Sequence, residues 1–242
     1  MSEVLNFPIK YEYARVTSGD YVTNGSSDFT YMYYKSKNRA INVLADTSKV
    51  TDTSNMFDGC NLLEAVYQFD TSSVTVMSNM FNDCGSLYYI PLLDTSNVTM
   101  TPYMFSGCSS LRTIPQLNTS NVTVMSNMFG GCGRLTSIPL LDCGKVGNVN
   151  NFFGSNNVLT KLEHLGGFKD LGKKSSISGI NNGFLERTPN LTRESLMNVI
   201  ENLYDRKSNG LSNTSIKFGT TNLAKLTDEE KAIAINKGWN LS

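Results

Sequence analysis

Histidine is almost absent from this sequence: His164 is the one imidazole in 242 residues. That excludes every mechanism or metal site requiring two imidazoles. Charge is scarce as well, at 17% of residues against roughly 25% in an ordinary soluble domain. The 21 basic side chains balance 21 acidic ones, so neither nucleic acid nor an anionic membrane surface is the expected partner, since both need a basic excess. No window approaches the ~18 apolar residues of a membrane span, and membrane insertion is not expected. The stretch from Met1 to Lys10 has neither a basic n-region nor an apolar core. With Met1 as the native start, the chain is expected to bypass standard secretory export. Five cysteines, an odd count, do not make a disulfide framework. Glycine-rich phosphate loops and Glu/His metalloprotease helices are missing too, and no cofactor is expected.

What is abundant is neutral polarity. The chain holds 27 Asn, 27 Ser and 22 Thr, nearly a third of its length. Much of this comes from an internal repeat. Met56-Phe57, Met80-Phe81, Met104-Phe105 and Met128-Phe129 follow one another at 24-residue steps, and Phe152-Phe153 continues the series. Cys60, Cys84, Cys108 and Cys132 occupy the next column, with Asn156 in the fifth unit. Leu63, Leu87, Leu111, Leu135 and Leu159 follow. Then come Val66, Ile90, Ile114, Ile138 and Leu162, and Phe69, Leu93, Leu117, Leu141 and Leu165. Such a period means one turn of a solenoid per unit, each too small to bury its apolar side alone. The Leu-x-x-Ile-Pro segments read as short strands ended by Pro91, Pro115 or Pro139. Five units with strands ~4.8 Å apart make a slab on the order of 24 Å long.

The motif Asp-Thr-Ser-Asn-Val-Thr, then Met-Ser-Asn-Met-Phe, then Gly-Cys-x-x-Leu-x-x-Ile-Pro resembles the BspA-like leucine-rich repeat, found on bacterial surface proteins and in phage or prophage genes. The resemblance implies an α+β solenoid. Its expected form is a right-handed stack of leucine-rich-repeat coils with short parallel β-strands and a mixed α/β C-terminal cap. It also implies a binding module and not an enzyme. Residues 46–165 are expected to hold five 24-residue repeats, and residues 1–45 an N-terminal β cap or attachment segment. There Phe7, Ile9, Tyr11 and Tyr13 alternate with polar residues, and Met32-Tyr33 lies one period before Met56-Phe57. Residues 166–242 are expected to form a C-terminal capping region with two helices. The first starts near Pro189 and Thr192 and runs to about Arg206. A strand over Ser215–Phe218 follows, and Thr227 to Glu230 makes a capping box for the second helix, stopped by Gly238.

Three clusters invite chemistry, and each has a plainer reading beside it. The cysteine column could be bridged or metal-bound, or could be small buried hydrophobes. Asp46, Asp70, Asp94 and Asp142 could hold calcium, or close Asx turns in which Asn118 serves equally. Cys143 and His164 could form a dyad, though no oxyanion motif or third orienting group accompanies them. The variable positions between the inward columns are the better functional candidates. They are Glu64, Gln68, Tyr88, Tyr89, Arg112, Gln116, Thr136 and Lys161, with Tyr88, Tyr89 and Arg112 at their centre. Aromatic rings with Gln are also suited to stacking on sugars, whereas a merely solvated strand face is the alternative. The expected partners are other virion proteins and a host cell-surface protein or glycan, with homo-oligomers formed within an assembly. The expected location is a phage particle, as a tail-associated, fibre or capsid-decoration protein; a bacterial cell-surface adhesin is the alternative.

Overall fold

The computed structural model describes residues 27–43, 46–154, 164–180 and 184–242. The 24-residue period becomes two ladders of parallel bridges in a solenoid-like repeat fold. One ladder runs through Asp28, Asp52, Val76, Met100, Val124, Asn148 and Ser178. The other begins where strand β1 (Ala40–Ile41) pairs with β2 (Ala65–Val66), and continues from Ala65 to Tyr89. Farther along, Thr113 bridges Ser137. Strands β3 (Ser137–Ile138) and β4 (Leu141–Asp142) then pair in parallel with β5 (His164–Leu165) and β6 (Phe168–Lys169). The strands are short because each coil must turn again within a few residues, and proline after the Ile position removes the next ladder donor.

Met56, Phe57, Cys60 and Leu63, with their counterparts in the next three coils, are fully buried. The phenylalanines form a continuous stack. Tyr33 lies on Phe57, Phe57 on Phe81, Phe81 on Phe105 and Phe105 on Phe129, with centroids 5.4, 5.2, 5.8 and 5.8 Å apart and planes within 12°. The stack ends at Phe152, which meets Phe129 edge-on at 76°. Tyr33 on Phe57, together with the Asp28 to Asp52 bridge, continues the repeat upstream of residue 46. The alternation from Phe7 to Tyr13 lies outside the described residues.

Turn chemistry locks each coil. The residue before the Met-Phe pair is left-handed in successive coils: Asn55, Asn79, Tyr103, Asn127 and Asn151 have φ between 50° and 58°. Four residues on, Gly59, Gly107 and Gly131 share this conformation with Asp83. At Gly107, φ is +75° and a Cβ would sit 3.0 Å from Asp83 Cα. Glycine before cysteine therefore lets adjacent backbones approach.

The strict register ends after Phe153. His164 pairs with Ser137 and Leu165 with Ile138, a spacing of 27 residues, and Phe168 takes the place opposite Leu141. This corrects the expectation that Leu165 lines up with Leu141. The reason is three additional residues: Phe153 to His164 spans 11 positions where Phe129 to Ser137 spans 8. Gly166, in the irregular link between β5 and β6, packs on the neighbouring coil, where a Cβ would lie 2.4 Å from Leu140 N.

Beyond the repeats, helix α1 (Arg193–Asn202) starts at Thr192, whose hydroxyl accepts from Ser195 N. It ends short of Arg206 because Leu203, bridged to Leu171, has turned to extended backbone. It buries Leu196, Val199 and Ile200 and docks on β5 and β6 through its polar side, where Leu165 N donates to Ser195 Oγ at 2.9 Å and Asp170 N to Asn202 O at 2.9 Å. Strand β7 (Thr214–Ile216), the single turn α2 (Thr220–Leu223), helix α3 (Asp228–Asn236) and strand β8 (Trp239–Leu241) complete the chain. The capping box of Thr227 and Glu230 is present, and Glu230 also pairs with Arg193 of α1. Trp239 opens β8 fully buried, its indole N–H donating to Tyr204 O at 2.9 Å.

Candidate interaction surface

The repeat register places Glu64, Tyr88, Arg112 and Thr136 in one column on successive coils. Tyr88 N donates to Glu64 O at 3.2 Å and Thr136 N to Arg112 O at 2.8 Å. Tyr88 and Tyr89 are 49% and 45% exposed, and Arg112 is exposed beside them. The other candidates have local duties. Glu64 pairs with Arg39 at 2.7 Å, and Thr136 Oγ1 donates to Arg112 O at 3.0 Å. Lys161 lies outside the described residues. Sequence reasoning passed over Tyr67, an exposed ring whose only signal was tyrosine where later coils have proline.

Gln68 and Gln116 are structural as well as exposed. Gln68 Nε2 donates to Phe69 O and, at 2.5 Å, to Leu92 O in the next coil. Gln116 Nε2 repeats this with Leu117 O and Leu140 O at 3.0 and 2.9 Å. Both amide hydrogens of each side chain are thus engaged, and the remaining polar function of each is a carbonyl oxygen. Alternating with them, Leu92 and Leu140 are exposed, Leu92 at 64%. This ridge of Gln68, Leu92, Gln116 and Leu140 borders a broad open groove of about 790 Å³. Its other wall carries Asp94, Asn118 and Asp142 and ends at Lys169.

The aspartates close Asx turns. Ser48 N, Ser72 N, Ser96 N and Gly144 N donate to Asp46, Asp70, Asp94 and Asp142 at 2.8–3.0 Å, and Ser120 N does so to Asn118 at 3.1 Å. Hydrogen bonds from Ser48, Ser72 and Ser96 hold the first three carboxyls below the ordinary value. Burial pushes Asp142 up, but the Gly144 N–H and Lys169, 3.0 Å away, outweigh it and leave it lowered.

The cysteines are buried free thiols whose Sγ donates across the stack: Cys60 to Tyr33 O, Cys84 to Phe57 O, Cys108 to Phe81 O and Cys132 to Phe105 O, at 2.9–3.1 Å. Burial pushes Cys60 up to about 11 and Cys132 to about 12. Cys143 is also fully buried and raised by burial, which disfavours the thiolate a nucleophile needs. The fold does not bring it to His164, which is exposed and opposite Ser137. Cys143 lies six residues farther along that coil and donates its N–H to Lys169 O. Six extended residues span on the order of 20 Å. Among the described residues no three His, Cys, Asp or Glu side chains group as a metal site, and no helix is long and apolar enough to cross a membrane.

Comparison with known proteins gives two findings. The family described as "Mycoplasma protein of unknown function, DUF285" matches residues 27–140 and 88–164, together more than half of the chain. The crystal structure of a Treponema pallidum leucine-rich repeat protein (TpLRR) superposes with a TM-score of 0.52 at 20% identity, covering 85% of this chain and 86% of that one. No curated protein matches the sequence.

Proposed function

Because the chain belongs to the DUF285 family of BspA-like leucine-rich repeats, we propose that it is a non-enzymatic recognition module that binds through its variable strand face. The observation carrying this reading is the pair Tyr88 and Tyr89, two large rings left exposed beside Arg112 on a scaffold whose inward columns are fully buried. Aromatic and arginine side chains held on a rigid surface contribute contact area with little ordering entropy. The proposed architecture is a right-handed coil stack closed by a mixed α/β C-terminal cap, supported by the packing of α1 on β5 and β6. The proposed setting is a phage or prophage particle, where the module contacts other virion proteins and the host surface, with a bacterial cell surface as the alternative. That setting rests on the resemblance of the repeat to those of surface and phage proteins. Mass spectrometry of purified particles against cell-envelope fractions separates the two. The binding reading is tested by changing Tyr88, Tyr89 and Arg112 together to alanine. Capture of partners from host-surface and virion extracts should fall at least about ten-fold, the equivalent of one strong contact. Capture at full strength would refute it.

A further inference from the structure

We propose that the groove beside the strand face is a second interaction surface, which takes an extended basic peptide segment with aliphatic side chains three residues apart. This rests on the reading of the chain as a recognition module, though not on the tyrosines. Two parallel ridges define the groove. One alternates amide and apolar groups coil by coil, as Gln68, Leu92, Gln116 and Leu140; the other carries Asp94, Asn118 and Asp142 and continues upstream in the same Asx-turn column as Asp70 and Asp46.

Three features select the occupant. First, charge is unbalanced along the second ridge. Asp142 is matched by Lys169, but Asp46, Asp70 and Asp94 form no ion pair among the described residues. They recur once per coil, about 4.8 Å apart along the ladder, and Asp46 and Asp94 each act on Asp70 as like charges. Lys49 acts on Asp46 alone, so in a chain of zero net charge this is a local acidic line that lysine or arginine would relieve. Second, spacing fits an extended chain. Leu92 and Leu140 are two coils apart, about 10 Å, and a peptide in the extended polyproline II form advances about 9 Å in three residues and returns every third side chain to the same face. Third, polarity fits a backbone. With their amide hydrogens engaged, Gln68 and Gln116 present carbonyl oxygens, acceptors for peptide N–H groups. The Lys169 end disfavours a cation, so the basic end of the peptide lies toward Asp70 and the aliphatic residues over Leu92 and Leu140.

The fold permits a clean test, because Asn118 already closes the same turn without a charge. Asp46→Asn/Asp70→Asn/Asp94→Asn removes the acidic line and keeps the turns. Leu92→Ser/Leu140→Ser alters exposed side chains. A displayed library of random twelve-residue peptides is selected on the full-length chain, and selected peptides are titrated by fluorescence anisotropy. The expected winners carry Lys or Arg ahead of two aliphatic residues three positions apart. They should bind about ten-fold more weakly to the triple Asn variant, as expected from losing three exposed charge pairs, and weaken as salt is raised. Leu92→Ser/Leu140→Ser should weaken them similarly, and Tyr88→Ala/Tyr89→Ala should leave them unchanged. Enrichment of acidic or purely aromatic peptides, no enrichment at all, or binding insensitive to the Asn variant overturns the proposal. Loss on Tyr88→Ala/Tyr89→Ala alone would overturn it while supporting the strand-face reading. If that alanine variant and the groove variants all leave binding intact, both fail.

Discussion

Replacing Phe105 by leucine keeps most of the buried apolar volume and removes an aromatic ring from the middle of the stack. Phe105 is fully buried, with rings 5.8 Å away on either side. Each stacked neighbour contributes about 0.5–1.5 kcal/mol beyond area burial, and the change of shape adds up to about 1.5 kcal/mol. The single variant should therefore lose about 1–4.5 kcal/mol. The decisive measurement is a pair of double-mutant cycles. Phe81 and Phe105 share one contact, so Phe81→Leu/Phe105→Leu removes three stacked contacts where the two singles together count four. The double variant should be less destabilised than the sum by about 0.5–1.5 kcal/mol, one stacking contribution. Phe57 and Phe129 are separated by two intervening rings and share no ring neighbour, so Phe57→Leu/Phe129→Leu should be additive within about 0.5 kcal/mol. Urea unfolding followed by circular dichroism, with Trp239 fluorescence as a second probe, supplies the free energies. Equal coupling in the two cycles would refute the stack as a source of stability and leave the rings as space-fillers.

Other perturbations follow from the same geometry. Gly107→Ala places a side chain in a left-handed turn and against Asp83, and should destabilise by about 2 kcal/mol or more. Tyr103→Asn, at a position where four sister coils hold asparagine in that conformation, should gain about 0.5–1 kcal/mol; chemical denaturation of both checks the column, and a loss at Tyr103→Asn contradicts it. Asp70 and Asp94 are held below the ordinary carboxyl value near 3.8, so their contribution is present above about pH 4 and disappears as pH falls through the folded values. Asp70→Asn/Asp94→Asn should flatten the acid limb of stability against pH while the neutral plateau persists, and an unchanged acid limb would count against the turn hydrogen bonds. Iodoacetamide at about pH 8 should label none of the five thiols in the folded chain and all of them in urea. Modification of Cys84 or Cys108 without denaturant would be inconsistent with the buried column.

The repeat was legible because periodicity is a property of composition at fixed spacing. The Met, Phe, Cys and Leu columns need only counting, and the capping box at Thr227 announces α3 by local chemistry alone. The three-residue insertion before His164 was hidden. Leu162 and Leu165 satisfy the 24-residue pattern by residue type, and only backbone pairing reveals that Leu165 belongs opposite Ile138. The left-handed column was obscured by Tyr103, an unfavourable residue for that conformation. The groove had no signature, since its ridge is made across coils, where the side chain of Gln68 ties to Leu92 and that of Gln116 to Leu140. Sequence spacing lists those residues as equivalent surface positions, while the structure divides them into crosslinks and exposed apolar steps.

The edge-on meeting of Phe129 and Phe152 has a consequence for how such a chain can lengthen. From Tyr33 to Phe129 every ring presents its face to the next, so a duplicated 24-residue segment inserted between those points restores the same face at each junction. Beyond Phe129 the face meets Phe152, a ring in the methionine column that stands edge-on to it, and a copy placed beyond it would inherit a mismatched surface. A duplication or deletion of one coil within the stack is therefore the one the packing accommodates, whereas one beyond Phe152 has to build a new ring contact.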